Sequence, residues 1–231
     1  MLSVKLCEGE PYMDTFTPLD MAAWPRRGIY KLYTEQWTTT LFSTTKRIDI
    51  SNTVEYAHRL AVKLVPALYW VFTKNLAASE AFTLAFHEGQ LGHWDSLHPL
   101  YPVLRQDGNF SFHTIEYTPD YIEFYDRYLA EAEKPERDPA DVYPREAPEN
   151  VYNISVMPYM DFDAFSFSLK NARNYFLPVI TLGKYQEQED GQILMPCAVT
   201  VNHAATDGRH VYDLLEAVEW DFACPEMWMT P

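Results

Sequence analysis

A single-domain, two-layer α/β sandwich on a mixed β-sheet is the fold this sequence predicts, from three observations. Runs such as WTTTLFSTTKRIDI (37–50) and QILMPCAVTVNHA (192–204) are β-branched and alternate in polarity, as half-buried strands do. Segments 53–78, 119–134 and the stretch after Asp207 instead repeat their apolar residues at helical spacing. These helices are scattered among hairpin signals rather than alternating strictly with strands, which favours a mixed sheet over a doubly wound parallel one. With 231 residues there is ample chain for a sizeable core.

Taken in order, residues 1–19 read as an N-terminal extension. Trp24 then opens a helix with Pro25 in its first turn, where a missing N–H costs little. A strand is expected over 38–49. Ser51 or Asn52 caps a helix over 53–78 that carries Val54, Ala57, Ala61, Leu64, Leu68 and Phe72 on one stripe, with a kink at Pro66. Strands follow near 81–88 and 97–104, and QDGN (106–109) turns the chain into FSFHTIEY (110–117), a hairpin signal. A helix covers 119–134. Four prolines and many charges make 134–150 a surface excursion rather than a linker, since aromatic-rich strands resume at once over 151–170 and 175–186. The strand 192–204 leads to Asp207, which caps a final helix with Val211, Leu214, Leu215 and Val218 turned inward.

Composition narrows function. The net charge is −15, with 33 acidic residues against 18 basic, and no basic cluster exceeds two adjacent residues. Such a chain is not built to track phosphates, so nucleic acid is not an expected partner. Aromatics reach 15% of the residues, more than one core needs, which leaves some to line a pocket or an interface. Cys7, Cys197 and Cys224 are too few and too scattered for a disulfide framework or a zinc site, and Cys197 reads as an inert core thiol. None of the histidines (His58, His87, His93, His98, His113, His203 and His210) has metal-ligand spacing, so no metal is expected. The opening MLSVKLCEGEPYMD lacks an apolar signal core, and the most apolar segment (60–72) is interrupted by Lys63 and Pro66. A cytoplasmic protein without a membrane partner is the expectation.

One stretch stands apart, NHAATDGRHV (202–211). A histidine after a buried strand is by itself more often a turn residue than a base. Here it is joined, in order, by MAAWPRR (21–27), IDIS (48–51), WDSLHPLY (94–101), QDGNFSF (106–112), PENVYNISVMPY (148–159) and NYFLPVITLGKY (174–185). With these motifs the chain resembles the chloramphenicol acetyltransferases of the trimeric, histidine-dependent type, over about 85–90% of its length from Asp20 onward. The HxxxDG pattern alone is shared with dihydrolipoyl acyltransferases and condensation domains; the ordered set is specific.

The resemblance implies the CoA-dependent acyltransferase fold, acetyl-CoA as co-substrate with no bound cofactor, and a homotrimer with active sites at subunit interfaces. It implies His203 as general base toward the acceptor hydroxyl, Ser155 as donor to the tetrahedral oxyanion, and Thr181 as support for that intermediate through water. Asp207 and Arg26 match a structural ion pair that fixes the turn of His203. Lys63 and Lys184 match contacts to CoA phosphates, and Tyr185 a contact to adenine. Tyr33, Phe110, Tyr143, Phe165, Phe167, Leu169 and Val179 match the wall of a small-molecule acceptor site that takes chloramphenicol.

Departures occur at Asn202, where the family usually has a second His, at Thr206 in place of Cys and at Arg209 in place of an aromatic residue. Phe167 stands for a smaller aliphatic residue, Tyr143 for Phe, and Thr83 for a common Arg. The alternatives left open are the same chemistry on another hydroxylated small molecule, or a catalytically silent trimer that binds CoA or a ligand.

Overall fold

The computed structural model describes residues 14–230 apart from 146 and 171. Cys7 and the first thirteen residues of the expected extension lie outside the described residues. Within that expected extension, β1 (Phe16–Pro18) is the first element. There follow α1 (Arg27–Lys31), running on as a π-helical turn over Leu32–Gln36, then β2 (Leu41–Asp49), α2 (Ser51–Leu60), α3 (Leu64–Ala77) and the single turn α4 (Glu80–Thr83). Next come β3 (Leu84–His87), β4 (Gln90–Trp94), β5 (His98–Leu104), β6 (Phe110–Thr114) and α5 (Tyr121–Ala132). The chain ends with β7 (Val151–Val156), β8 (Val179–Leu182), β9 (Gln186–Glu187), β10 (Ile193–Asn202) and α6 (Gly208–Ala223).

The main sheet runs β2-β10-β8-β7-β5-β6, with β9 beside β10. The pairs β5/β7 and β7/β8 are parallel and the rest antiparallel, so the sheet is mixed, as predicted. One face carries Ile48, Ile154, Ile180, Leu182, Cys197, Val199 and Val201 into the core. The helices cover that face: Leu68 and Phe72 of α3, Phe124 of α5, and Leu214, Val218 and Phe222 of α6 belong to the same core. Alternation sends the intervening residues to the other face. There Ser43 bonds Thr200 at 2.9 Å, and Ser155 stands opposite Thr181. The site is built on this polar face and at the sheet's ends.

Several expectations change. The helix expected over 53–78 is two helices, and Pro66 does not kink it. Ala61 adopts the left-handed conformation (φ 55°), with Ala61 N–H donating to His58 O and Val62 N–H to Ala57 O, which closes α2 in a Schellman motif. Pro66 falls at the third residue of α3, where its missing N–H would have had no helical partner. Neither Ser51 nor Asn52 caps α2. Ser51 is its first residue, with its backbone N–H donating to Asp49 Oδ1 at 2.9 Å, while Asn52 Nδ2 donates to Ala223 O at the end of α6.

The first helix starts at Arg27, after Trp24 and Pro25 have formed turns. Of 151–170 only β7 is strand, and of 175–186 only β8 and the first residue of β9 are. From 157 the chain leaves the sheet and crosses its polar face, where Phe165 N–H donates to Thr45 Oγ1 at 3.2 Å. The strand near 81–88 is preceded by α4, and β3 joins a small antiparallel sheet, β1-β4-β3, that the sequence pattern did not announce. Gly92 is needed there: a Cβ would stand 2.3 Å from Thr17 O.

The QDGN turn, the hairpin of β5 with β6, and the Asp207 cap are as expected. Gly108 in that turn has φ +84°, which suits a residue without a Cβ. Cys197 is fully buried, and burial pushes its thiol well above the usual range, as befits a core residue.

Candidate active site

His203 follows the last residue of β10 and begins the tight turn into α6. Its backbone N–H donates to Thr40 O at 2.9 Å, just before β2. The turn closes on Asn202 O, which accepts the N–H groups of Ala205 and Thr206, each at 3.0 Å. Asp207 then caps α6: its carboxylate accepts Arg209 N–H at 3.1 Å, and His210 Nδ1 accepts Asp207 N–H, a reciprocal capping box.

The imidazole of His203 is held on two sides. Nδ1 lies 2.9 Å from Thr206 O. A carbonyl only accepts, so Nδ1 carries the proton, and in the neutral ring Nε2 keeps a lone pair. Among the described residues nothing bonds Nε2. Tyr33 stacks on the ring with centroids 4.8 Å apart, and Phe42 packs at 5.8 Å.

Arg26 clamps the turn from outside. Nη1 donates to Asp207 Oδ2 at 2.7 Å, Nη2 to His203 O at 3.2 Å and Nε to Ala204 O at 3.2 Å. Burial pushes the Asp207 carboxyl up, but the Arg26 bond, the His210 charge and the Arg26 charge outweigh it and bring it down to about 2. The ion pair expected from the sequence is therefore formed, and Asp207 faces Arg26 and the helix rather than the His203 ring.

Ser155 and Thr181 are direct partners in the parallel β7/β8 register, with oxygens 3.5 Å apart, too long for a strong bond. Thr181 is buried, Ser155 half-buried. Thr181 also pairs with Ala198 of β10. His203 lies five residues beyond Ala198, just past the end of β10, which at strand rise is about 17 Å. Within one chain, then, Ser155 and Thr181 stand at one end of the sheet and His203 at the other.

The expected acceptor residues divide in the same way. Tyr33 is on His203. Phe167 and Leu169 line a cleft of about 770 Å³ together with Leu41, Ser43, Ala172 and Arg173, and Phe165 packs edge-on against Phe167 at 5.1 Å. Val179 is buried in β8 opposite Thr200. Phe110 and Tyr143 are half exposed beyond the far edge, each against Phe112, and Tyr143 lines a separate cleft of about 390 Å³. The single chain does not gather these seven side chains around one cavity.

Of the expected CoA contacts, Lys63 is exposed at the start of α3, its ammonium 5.7 Å from the Tyr128 ring centroid. Lys184 and Tyr185 are exposed just past β8, after Gly183, where a Cβ would stand 2.6 Å from Pro196 Cγ. Bonding from Arg47 lowers the nearby Asp161 carboxyl, and the Lys184 charge adds to that effect. Lys184 thus stands close to the ion pairs that Arg47 makes with Asp161 and Asp163.

Residues that the sequence reading passed over as departures also act here. Asn202 is buried under the turn, Thr206 donates its hydroxyl to Asn202 O at 3.3 Å, and Arg209 pairs with Asp213 on α6 at 2.9 Å, away from His203. His210 serves the α6 cap. No group of acidic, His or Cys side chains among the described residues could hold a metal ion. No helix among them is long and apolar enough to cross a membrane.

Comparison with known proteins gives a consistent picture. The family model described as chloramphenicol acetyltransferase matches residues 14–219. A chloramphenicol acetyltransferase of Staphylococcus aureus is 32% identical over 219 residues, covering 93% of this chain and 99% of its own. Chloramphenicol acetyltransferase 3 of Escherichia coli is 32% identical over 198 residues, 85% of this chain and 92% of that one. Among solved structures, a chloramphenicol acetyltransferase superposes with a TM-score of 0.79 at 20% identity, over 90% of this chain and 99% of the other. The dihydrolipoamide acetyltransferase of Azotobacter vinelandii shares the fold more distantly, with a TM-score of 0.60 at 14% identity over 84% of this chain and 85% of that one.

Proposed function

The chain belongs to the chloramphenicol acetyltransferase family and is an acyltransferase, and from that premise we propose that it transfers the acetyl group of acetyl-CoA to a hydroxyl of chloramphenicol. The observation that carries the mechanism is the tautomer of His203. Because Nδ1–H donates to Thr206 O, Nε2 is left as the acceptor.

An alcohol is scarcely ionised near neutrality, so its proton must leave as the new bond forms. His203 Nε2 takes that proton while the acceptor oxygen attacks the thioester carbonyl carbon. The carbonyl oxygen becomes an oxyanion, to which Ser155 Oγ donates, with Thr181 behind it. Collapse breaks the carbon–sulfur bond, and the CoA sulfur leaves with the proton that His203 held. The products are an acetyl ester and free CoA thiol, and no acyl-enzyme is needed. Arg26 and Asp207 hold the turn and move no proton. Lys63, Lys184 and Tyr185 take the phosphates and adenine of CoA.

Each site forms between two copies of the chain. The support is the sheet register: about 17 Å along the strands separates His203 from the level of Ser155, whereas proton transfer and oxyanion bonding both act at about 3 Å. A neighbour that brings its Ser155 end to the His203 end of the first copy satisfies both. Head-to-tail contacts of this kind close into a ring, here a homotrimer. The same contact assembles Tyr33 with Phe110, Tyr143, Phe165, Phe167, Leu169 and Val179 around the acceptor. The reading places the enzyme in the cytoplasm.

Release of CoA thiol from acetyl-CoA, with and without chloramphenicol, is the direct test. Drug-dependent release is expected. A folded oligomer that releases thiol with other alcohols but not with the drug overturns the acceptor, and one that releases none overturns the mechanism.

A further inference from the structure

Asn202, the last residue of β10, is 2% exposed, and its carboxamide is bonded at both ends. Nδ2 donates to Ala172 O at 2.6 Å and to Tyr175 O at 3.1 Å, while Oδ1 accepts Ala204 N–H at 3.0 Å. Two carbonyls can only accept and an N–H can only donate, so this is the one orientation of the amide that satisfies all three groups. The backbone of Asn202 closes the turn of His203 as well, through the N–H groups of Ala205 and Thr206.

The other partners belong to the acceptor side. Ala172, Arg173 and Asn174 stand in the wall of the 770 Å³ cleft beside Phe167 and Leu169. Past them, the Tyr175 phenol accepts a bond from Asn153 Nδ2 at 2.7 Å, and Asn153 lies two residues before Ser155 on the same face of β7. Segment 172–175 is therefore pinned to β10 through Asn202 and to β7 through Asn153.

We propose that Asn202 is a positioning residue that locks, within each chain, the His203 turn serving one site to the cleft wall serving the neighbouring site, so that base and acceptor wall are fixed to one frame. The proposal rests on the reading of His203 as base and of the cleft as part of the acceptor site. Asn202 touches neither substrate. It acts by fixing Ala204, and hence the turn, against the carbonyls of Ala172 and Tyr175.

Asn202→Asp is the sharpest variant. It keeps the shape but replaces two donors with an oxygen facing two carbonyls, a repulsive arrangement that must part the two segments. In the intact oligomer, kcat/KM for chloramphenicol is expected to fall about 10²-fold, the scale of a misplacement near 1 Å. KM for chloramphenicol should rise with it, while KM for acetyl-CoA stays within about 3-fold, a split that general loss of fold does not produce. Wild-type kinetics, or an equal rise in both KM values, would overturn the proposal.

Should that variant not fold, Asn202→Ala is read by amide hydrogen exchange. Exchange at Ala204 should speed up at least about 10-fold relative to amides of α2, the scale of one lost bond. Unchanged exchange there overturns the proposal too. A wild-type protein without chloramphenicol turnover sinks the acceptor reading instead, and the exchange at Ala204, with the ring-nitrogen shifts of His203, then decides the role of Asn202.

Discussion

Of the histidines His98, His113 and His203, the first two have both ring nitrogens bonded and His203 has one. His98, the first residue of β5, is 1% exposed; its Nδ1 accepts Tyr117 N–H at 2.9 Å and its Nε2–H donates to Asp14 at 2.7 Å. His113 on β6 bonds Glu131 through Nδ1 at 2.8 Å and Ser111 through Nε2 at 3.1 Å. That Ser–His–carboxylate chain has the outline of a nucleophilic triad, yet Ser111 is 4% exposed and lines neither the 770 Å³ nor the 390 Å³ cleft. His203 bonds one carbonyl and leaves Nε2 open beside a half-exposed turn. A ring with both nitrogens engaged can organise its neighbours, while proton transfer to an incoming hydroxyl needs a free lone pair and a path to it.

The largest effect that separates these histidines is on turnover. His203→Ala should lower kcat by at least about 10²-fold in thiol release, with the fold intact. His98→Ala should leave kcat of the folded fraction within about 3-fold but cost about 1–3 kcal/mol in denaturant unfolding, since Asp14 and Tyr117 N–H lose their partner. Equal losses of turnover would erase the contrast.

A similar test applies to the hydroxyls. Ser155→Ala should cost about 10²-fold in kcat if its hydroxyl meets the oxyanion, and Ser111→Ala should cost almost none. Mixing chains that carry His203→Ala with chains that carry Ser155→Ala should restore turnover that neither has alone. Failure of mixed oligomers to recover activity would return the two groups to one chain, against the register.

Smaller effects concern the clamp. Arg26→Lys keeps the charge but cannot reach Asp207, His203 O and Ala204 O together, so kcat should fall about 10-fold and stability by about 1–2 kcal/mol. The smallest is a pH effect. The Asp207 carboxyl lies at about 2 in the folded chain against 3.8 unfolded, so the unfolded state binds the proton more readily. Its contribution is complete above about pH 4 and is lost as pH falls toward 2. Asp207→Asn should flatten that part of the acid-unfolding curve; an unchanged curve would mean that Arg26 does not favour the carboxylate.

Much of the architecture was legible because it follows from short-range chemistry. The alternation in 37–50 and 192–204 marks β2 and β10, QDGN turns β5 into β6, and an Asp before an apolar helical stripe caps α6. The break after α2 was not legible: a left-handed Ala61 closes the Schellman motif where glycine usually signals it. Nor were β1 and β4, three and five residues long with Gly92 in the middle, because such short runs carry little period.

At the site, sequence motifs singled out His203, Ser155 and the Arg26–Asp207 pair. Asn202 was read only as a departure, since its partners lie near 172 and 175 in the chain and no local pattern connects them. By itself, then, the sequence determined the family, the strand and helix pattern and the residue types of the chemistry, which depend on neighbours a few positions apart. Only the tertiary structure decided which nitrogen of His203 is open, what Asn202 holds together, and that β10 runs antiparallel to β8. That last direction sets His203 and Ser155 at opposite ends of one sheet, because strand pairing joins residues far apart in sequence through backbone bonds that no side-chain pattern records.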